Sequence, residues 1–194
     1  MASPTSTKAA AKTGPKRMTQ RRVENIAKYH IERFATTAAN LKRVLMRRAE
    51  RALRVHGGDK AEVAGWIEET VAKLVKAGAI DDRRYAFDRT ASLRRLGKGP
   101  EKIRSLLIAK GVDRALVKAA LEATAENDAG EDAALVAAIA YARRRRLGPF
   151  GAPESDKDAK RKKASKDLSA LGRAGFSYAI AKRIAHAASA EDLA

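Results

Sequence analysis

The sequence predicts an all-α chain of three consecutive three-helix units. Three observations predict it. Apolar residues recur at helical spacing almost everywhere after residue 23, and no run shows the period of two that marks a strand. Hydrophobic residues are 45% of the 194, yet aromatics are only 5%, so the cores rest on alanine and aliphatic side chains, which suits packed helices better than a broad sheet. A spaced set of leucine, glycine and isoleucine positions also recurs, as a tandem array requires.

The elements follow in order. The first 22 residues, "MASPTSTKAAAKTGPKRMTQRR", carry six Lys and Arg and no acid. They lack the apolar centre of a secretory signal and are expected to be a disordered basic tail; an organelle transit peptide would share the composition. Residues 23–80 form the first unit, with one stripe at Leu41, Val44, Leu45, Ala49, Ala52 and Leu53 and another at Val63, Ile67, Val71 and Leu74. Trp66 lies beside the second stripe and is expected in the core or at a repeat junction. Asp59 is placed to cap a helix start and Gly78 to end one.

Residues 81–128 form the second unit. Asp82 is expected to cap a helix holding Tyr85, Ala86, Ala91, Leu93 and Leu96, where a carboxylate accepts from orphan N–H groups and meets the positive end of the dipole. Pro100 suits the first turn of the next helix, which carries Ile103, Leu106 and Leu107 and stops at Gly111. Asp113 then caps a helix with Leu116, Val117, Ala120 and Leu121. Residues 129–190 form the third unit, with Leu135, Ala138, Ile139 and Ala142 on one helix, Gly175 as a helix end, Ser177 as a cap, and Ile180, Ala181 and Ile184 on the last.

"RRLG" stands at 94–97 and again at 145–148. After the first copy come Leu107, Gly111, Val112, Leu116 and Ala120; after the second, Leu171, Gly175, Phe176, Ile180 and Ile184, with identical internal spacing. Gly97 and Gly111 are 14 apart, whereas Gly148 and Gly175 are 27 apart, so the third unit carries an insertion of 13, expected as an exposed basic loop over about 149–163. Lys160, Arg161, Lys162 and Lys163 belong to that loop or to the start of a helix.

Composition excludes several chemistries. There is no cysteine, hence no disulfide, thiolate metal site or cysteine nucleophile, and a cytoplasmic, reducing setting fits. No apolar run reaches the ~20 residues that span a bilayer, so no membrane partner is expected. His30, His56 and His186 share no metal-ligand spacing, and neither a catalytic residue nor a cofactor is expected. Asp81 and Asp82 have no histidine or ligand near them in sequence and are expected to serve the chain's own architecture, with Asp82 as the cap. Gly97-Lys98-Gly99-Pro100 lacks the longer phosphate-loop pattern and is expected to be a turn.

The formal charge is +18, a field that draws polyanions, and by segment it is +6 over 1–22, +4 over 23–80, +3 over 81–128 and +5 over 129–194. The candidate contact residues are therefore cations. Arg143, Arg144, Arg145 and Arg146 fill a helical turn and fit both a solubilising helix end, favoured by the negative dipole terminus, and a contact to phosphates or acidic protein. Arg94 and Arg95, with Lys98 just beyond, stand at the equivalent place one repeat earlier. Arg47, Arg51 and Arg54 make a basic stripe that is either a solvated face or a docking face.

The segment "LVKAGAIDDRRYAFDRTASLRRLGKGPEKIRSLLIAKGVDRALVKAAL", residues 74–121, resembles the core of the RecX family, the bacterial regulators of the RecA recombinase. The likeness rests on Gly78-x-Ile80-Asp81-Asp82 followed by Tyr85-Ala86, on the basic run to Gly97-Lys98-Gly99, and on Ile103, Leu107 and Lys110-Gly111-Val112. The third unit fits through Arg146-Leu147-Gly148-Pro149-Phe150 and Gly175-Phe176-Ser177-Tyr178. The first unit departs, running on through "MRRAERALRVHGG" without the Lys-Gly turn. The resemblance implies an elongated all-helical array, a monomer with no catalytic site. It implies lodging in the groove of a RecA–single-stranded DNA filament and suppression of strand exchange, ATP hydrolysis and repressor cleavage. The rival is a helix-turn-helix protein acting directly on DNA, since residues 101–122 read helix, turn, helix. That second helix sets Asp113 and Glu122 against Arg114 and Lys118, whereas a major-groove helix needs a surplus of donors.

Overall fold

The computed structural model describes residues 14–126 and 131–193. Among these the chain is nine α-helices with two short 3-10 turns and no strand. The described residues fall into two compact units that divide between Ile80 and Asp81.

The first unit holds α1 (Gln20–Arg33), α2 (Ala38–His56) and α3 (Lys60–Lys76). Each start is capped by a side chain: Thr19 accepts from Arg22 N–H, Thr37 from Asn40 N–H and Asp59 from Ala61 N–H. Helix α3 packs against both α1 and α2. Their shared core is Val23, Ala27, Leu41, Leu45, Ala49, Val63, Ile67 and Val71, with Trp66 partly buried against it. Thr70 is buried mid-helix and satisfies its hydroxyl on Trp66 C=O at 2.7 Å.

The tail expected over 1–22 ends earlier than composition suggested. Helix α1 begins at Gln20, and Met18 is buried in the same core as Val23. Met18 precedes the capping Thr19 and Val23 lies four residues beyond it, the spacing of a hydrophobic staple. Residues 1–13 lie outside the described residues.

The second unit contains two three-helix repeats with separate cores. Helices α4 (Asp82–Arg95), α5 (Pro100–Ala109) and α6 (Arg114–Glu126) enclose Ala86, Leu93, Ile103, Leu107, Val112, Val117 and Ala120. Helices α7 (Glu131–Arg145), α8 (Lys157–Ala174) and α9 (Tyr178–Ala185) enclose Ala138, Ala142, Leu171, Phe176, Ala181 and Ile184. In both repeats, as in the first unit, the third helix packs on the other two.

Two expectations need correction. The cap of α4 is Asp81, whose carboxylate accepts from Arg84 N–H at 2.9 Å; Asp82 is the first helical residue, where its charge still meets the dipole. The insertion is not a loop over 149–163. Gly148–Phe150 is a 3-10 turn, Asp156 caps α8, and Lys160 to Lys163 lie inside that helix. The added residues lengthen α8 to 18 residues against 10 in α5. Asp113 accepts from Ala115 N–H at 2.8 Å, and Gly78, Gly111 and Gly175 all have positive φ.

The two repeats of the second unit are joined through backbone. Gly99 N–H donates to Ala174 C=O at 2.9 Å and Glu101 N–H to Gly175 C=O at 3.3 Å. The negative end of α8 thus meets the positive end of α5, and each supplies the partners the other's terminus lacks. The approach is close enough to require glycine: a β-carbon on Gly99 would stand 2.2 Å from Gly175 O, and one on Gly175 2.4 Å from Lys102 N.

Candidate partner-binding surface

The basic candidates are distributed over both units. On α2, Arg47, Arg51 and Arg54 are all exposed. In the second unit, the ends of α4 and α7 come together. The Arg144 guanidinium reaches Leu96 C=O at 3.4 Å and lies over Gly97, where a β-carbon would stand 2.7 Å from its Nη2. Arg95 and Lys98 are next to that contact in sequence, and Arg143, Arg145 and Arg146 are next to Arg144, so the two clusters expected one repeat apart sit at helix ends that touch.

Within this surface the arginines divide by use. Arg94 donates to Thr124 C=O at 2.7 Å and closes the end of α6. Arg144 ties α7 to the end of α4 and also stands 5.9 Å over the Tyr141 ring. Arg143 stands 5.3 Å over the ring of Phe150. Arg95, Arg145 and Arg146 are exposed, and Lys98 is half-buried. Arg146 has φ 55°, the one described non-glycine residue with positive φ.

That angle resets the register of the repeat. Arg146 N–H bonds Arg143 C=O and Leu147 N–H bonds Ala142 C=O, just as Gly97 N–H bonds Arg94 C=O and Lys98 N–H bonds Leu93 C=O. Arg146 therefore matches Gly97, and Gly148-Pro149 matches Gly99-Pro100. The two "RRLG" strings are out of structural register by two residues. Arg143 and Arg144, not Arg145 and Arg146, stand where Arg94 and Arg95 stand.

Sequence reasoning missed several cations. Lys16, Arg17, Arg21 and Arg22 fall in the segment whose composition reads as a tail, and Arg48 adjoins the Arg47 stripe without belonging to it. Together they line an open groove of about 790 Å³ in the first unit, with Tyr29 and Ile26. The signal that could have found them is the Met18-Thr19 staple and cap, which fixes the start of α1. A second cleft, of about 780 Å³, lies beside α8 and α9 and includes Lys160, Arg161 and the buried Asp167. Lys163 is spent there on Gly148 C=O and Ala152 C=O. Among the described residues no group of three His, Cys, Asp or Glu could hold a metal ion, and no helix is long and apolar enough to cross a membrane.

Known proteins agree with this architecture. The second three-helix domain of RecX matches residues 81–121. The Regulatory protein RecX of Myxococcus xanthus (strain DK1622) is 38% identical over 170 residues, covering 88% of this chain and 87% of its own. The chain belongs to the RecX family. The Regulatory protein RecX of Agrobacterium fabrum (strain C58 / ATCC 33970) is 33% identical, covering 82% of this chain and 79% of its own. The crystal structure of RecX from Lactobacillus salivarius superposes with a TM-score of 0.57 at 22% identity, covering 85% of this chain and 93% of that one, and so agrees in fold. RecX proteins are non-enzymatic regulators known as modulators of RecA, which gives this chain its function class.

Proposed function

We propose that this chain binds the RecA filament on single-stranded DNA in the cytoplasm, as a monomer, and lowers its ATPase, strand-exchange and coprotease activities by occupancy. The observation that carries the reading is 38% identity to a RecX protein along nearly nine-tenths of the chain. The paired ends of α4 and α7 support it, because Arg144 reaches Leu96 C=O next to the exposed Arg95, and Arg143, Arg145 and Arg146 are exposed at the same end of α7. Arg47, Arg51 and Arg54 add a second basic face on the first unit. Arg94 and Arg144 are engaged inside the protein and contribute by holding the surface in shape. Contacts spread over many exposed cations are individually weak, about 0–1 kcal/mol each.

The test is titration into recombinase filaments while ATP turnover is recorded. Inhibition is expected well below the concentration at which the protein coats free DNA. Replacing Arg143 to Arg146 together by Ala is expected to weaken filament binding and flatten its salt dependence. If added competitor DNA abolishes inhibition completely, the chain acts as a plain nucleic-acid binder and the filament reading fails. The helix-turn-helix alternative has little to stand on in α6, where Lys118 pairs with Glu122 at 3.7 Å and leaves few donors for base edges.

A further inference from the structure

The groove of the first unit gathers cations against the local electrostatics. Lys16 and Arg17 come from the segment before α1, Arg21 and Arg22 from its first turn, and Arg48 from α2. A helix N-terminus carries positive potential and favours Asp or Glu, yet the first turn of α1 holds no acid. No acid lines the groove either. The ion pairs Lys42–Glu68, Lys60–Glu50 and Lys73–Glu69 of this unit involve none of these five cations. Five like charges at the positive end of a dipole repel one another, and a bound polyanion relieves that repulsion.

The groove also offers a surface for a base. Tyr29 is 46% exposed and lines it beside Ile26. The Arg33 guanidinium covers part of the ring, 4.3 Å from its centroid, and Arg33 is not among the groove residues. The ring therefore meets the groove by a part that Arg33 leaves open. A smaller recess of about 290 Å³ shares Lys16, Arg22, Ile26 and Arg48 and extends the basic lining to Arg51. Four of the five cations are arginines, which bind phosphate through a planar fork and also stack. An aromatic platform amid phosphate-binding cations is the pattern of single-strand recognition. A duplex hides its base faces and leaves Tyr29 nothing to stack on, and an acidic protein surface needs no such ring.

We propose that this groove binds single-stranded nucleic acid, with phosphates on Lys16, Arg17, Arg21, Arg22 and Arg48 and a base against Tyr29. The site goes beyond the filament reading, because it needs no recombinase.

The test is fluorescence anisotropy of a labelled oligothymidylate with the full chain and no recombinase present, so its outcome is separate from that of the filament assay. The double variant Arg21→Glu/Arg48→Glu is expected to weaken binding at least tenfold. It should also reduce the salt slope by about 1.4, since each single-strand phosphate contributes about 0.7. Tyr29→Ala is expected to weaken binding about fivefold or more, with Tyr29→Phe close to wild type. Circular dichroism melts show whether each variant keeps its helices; all three positions are at the surface or its edge. A folded double variant with wild-type affinity overturns the site. So does a folded Tyr29→Ala with wild-type affinity, or a duplex or inorganic polyphosphate of matched charge that competes as well as the oligonucleotide.

Discussion

Gly99 and Gly148 hold the same place in successive repeats, each just after the first helix and just before a proline, yet they are satisfied differently. Gly99 N–H donates to Ala174 C=O in the following repeat. Gly148 N–H donates at 2.8 Å to the carboxylate of Asp167, on α8 of its own repeat, and Gly148 C=O accepts from Lys163. Gly148 is pressed instead against the end of its own α9, where a β-carbon would stand 2.4 Å from Ile184 O. The repeat of α4, α5 and α6 hands this donor to an orphan acceptor of the following repeat, whereas in the repeat of α7, α8 and α9 the matching donor is met from within. A buried side chain takes that place, so Asp167 does for Gly148 what Ala174 C=O does for Gly99.

The strongest way to break this comparison is to fill the joint. Gly99→Ala places a methyl against Gly175 backbone that cannot rotate away, and Gly175→Ala adds left-handed strain at φ 93° to a contact with Lys102. Each is expected to cost about 3 kcal/mol. Urea unfolding followed by far-ultraviolet circular dichroism should show the loss. A midpoint at the wild-type value for both variants would mean that the backbone joint does not form.

The next effect falls on the other side of the comparison. Asp167→Ala leaves Gly148 N–H without its acceptor in a partly buried site and is expected to cost about 1–3 kcal/mol. Asp167→Asn keeps an acceptor and should lose distinctly less. If the two variants melt alike, the carboxylate is not acting as a cap. Neither change alters the exposed arginines, so filament binding of the folded fraction should be unaffected.

The contrast between these regions also shows what was legible in the sequence. Apolar periodicity located all three cores, because burial of Leu41, Leu107 or Leu171 leaves a 3.6-residue signature whatever the helix packs against. The caps at Asp59, Asp113 and Ser177 were legible and the one at Asp82 lay a residue off, whereas Thr19, Thr37 and Asp156 gave no signal that was read. Asp81 and Asp82 are chemically alike, and only the donor geometry to Arg84 N–H separates them. The start of α1 was hidden because a high density of cations resembles a solvated tail. Least legible were contacts between segments distant in sequence. Nothing in the spacing states that Arg144 reaches Leu96 C=O, that Arg94 closes α6, or that Asp167 receives Gly148 N–H. These pairings depend on how separate helices meet, which no local pattern encodes.

The repeated "RRLG" is the clearest case, and it yields the smallest and sharpest prediction. Identity of letters aligned Gly97 with Gly148, but the angle at Arg146 and its two turn hydrogen bonds align Gly97 with Arg146. If that register is right, the third repeat carries an arginine in a conformation that glycine prefers by about 1–2 kcal/mol. Arg146→Gly relieves that strain but adds entropy to the unfolded chain, so the net gain is about 0–1 kcal/mol. Gly97→Ala, at the matching position, is expected to lose about 1–2 kcal/mol, as it must adopt φ 69° and displace the Arg144 guanidinium. The pair is therefore expected to move thermal midpoints in opposite directions, although the letter alignment assigns Arg146 no special conformation. Arg146→Gly also removes one exposed cation from the proposed surface, so a slightly more stable protein should bind the filament slightly less well. A clear fall in stability for Arg146→Gly would return the register to the one the letters suggest.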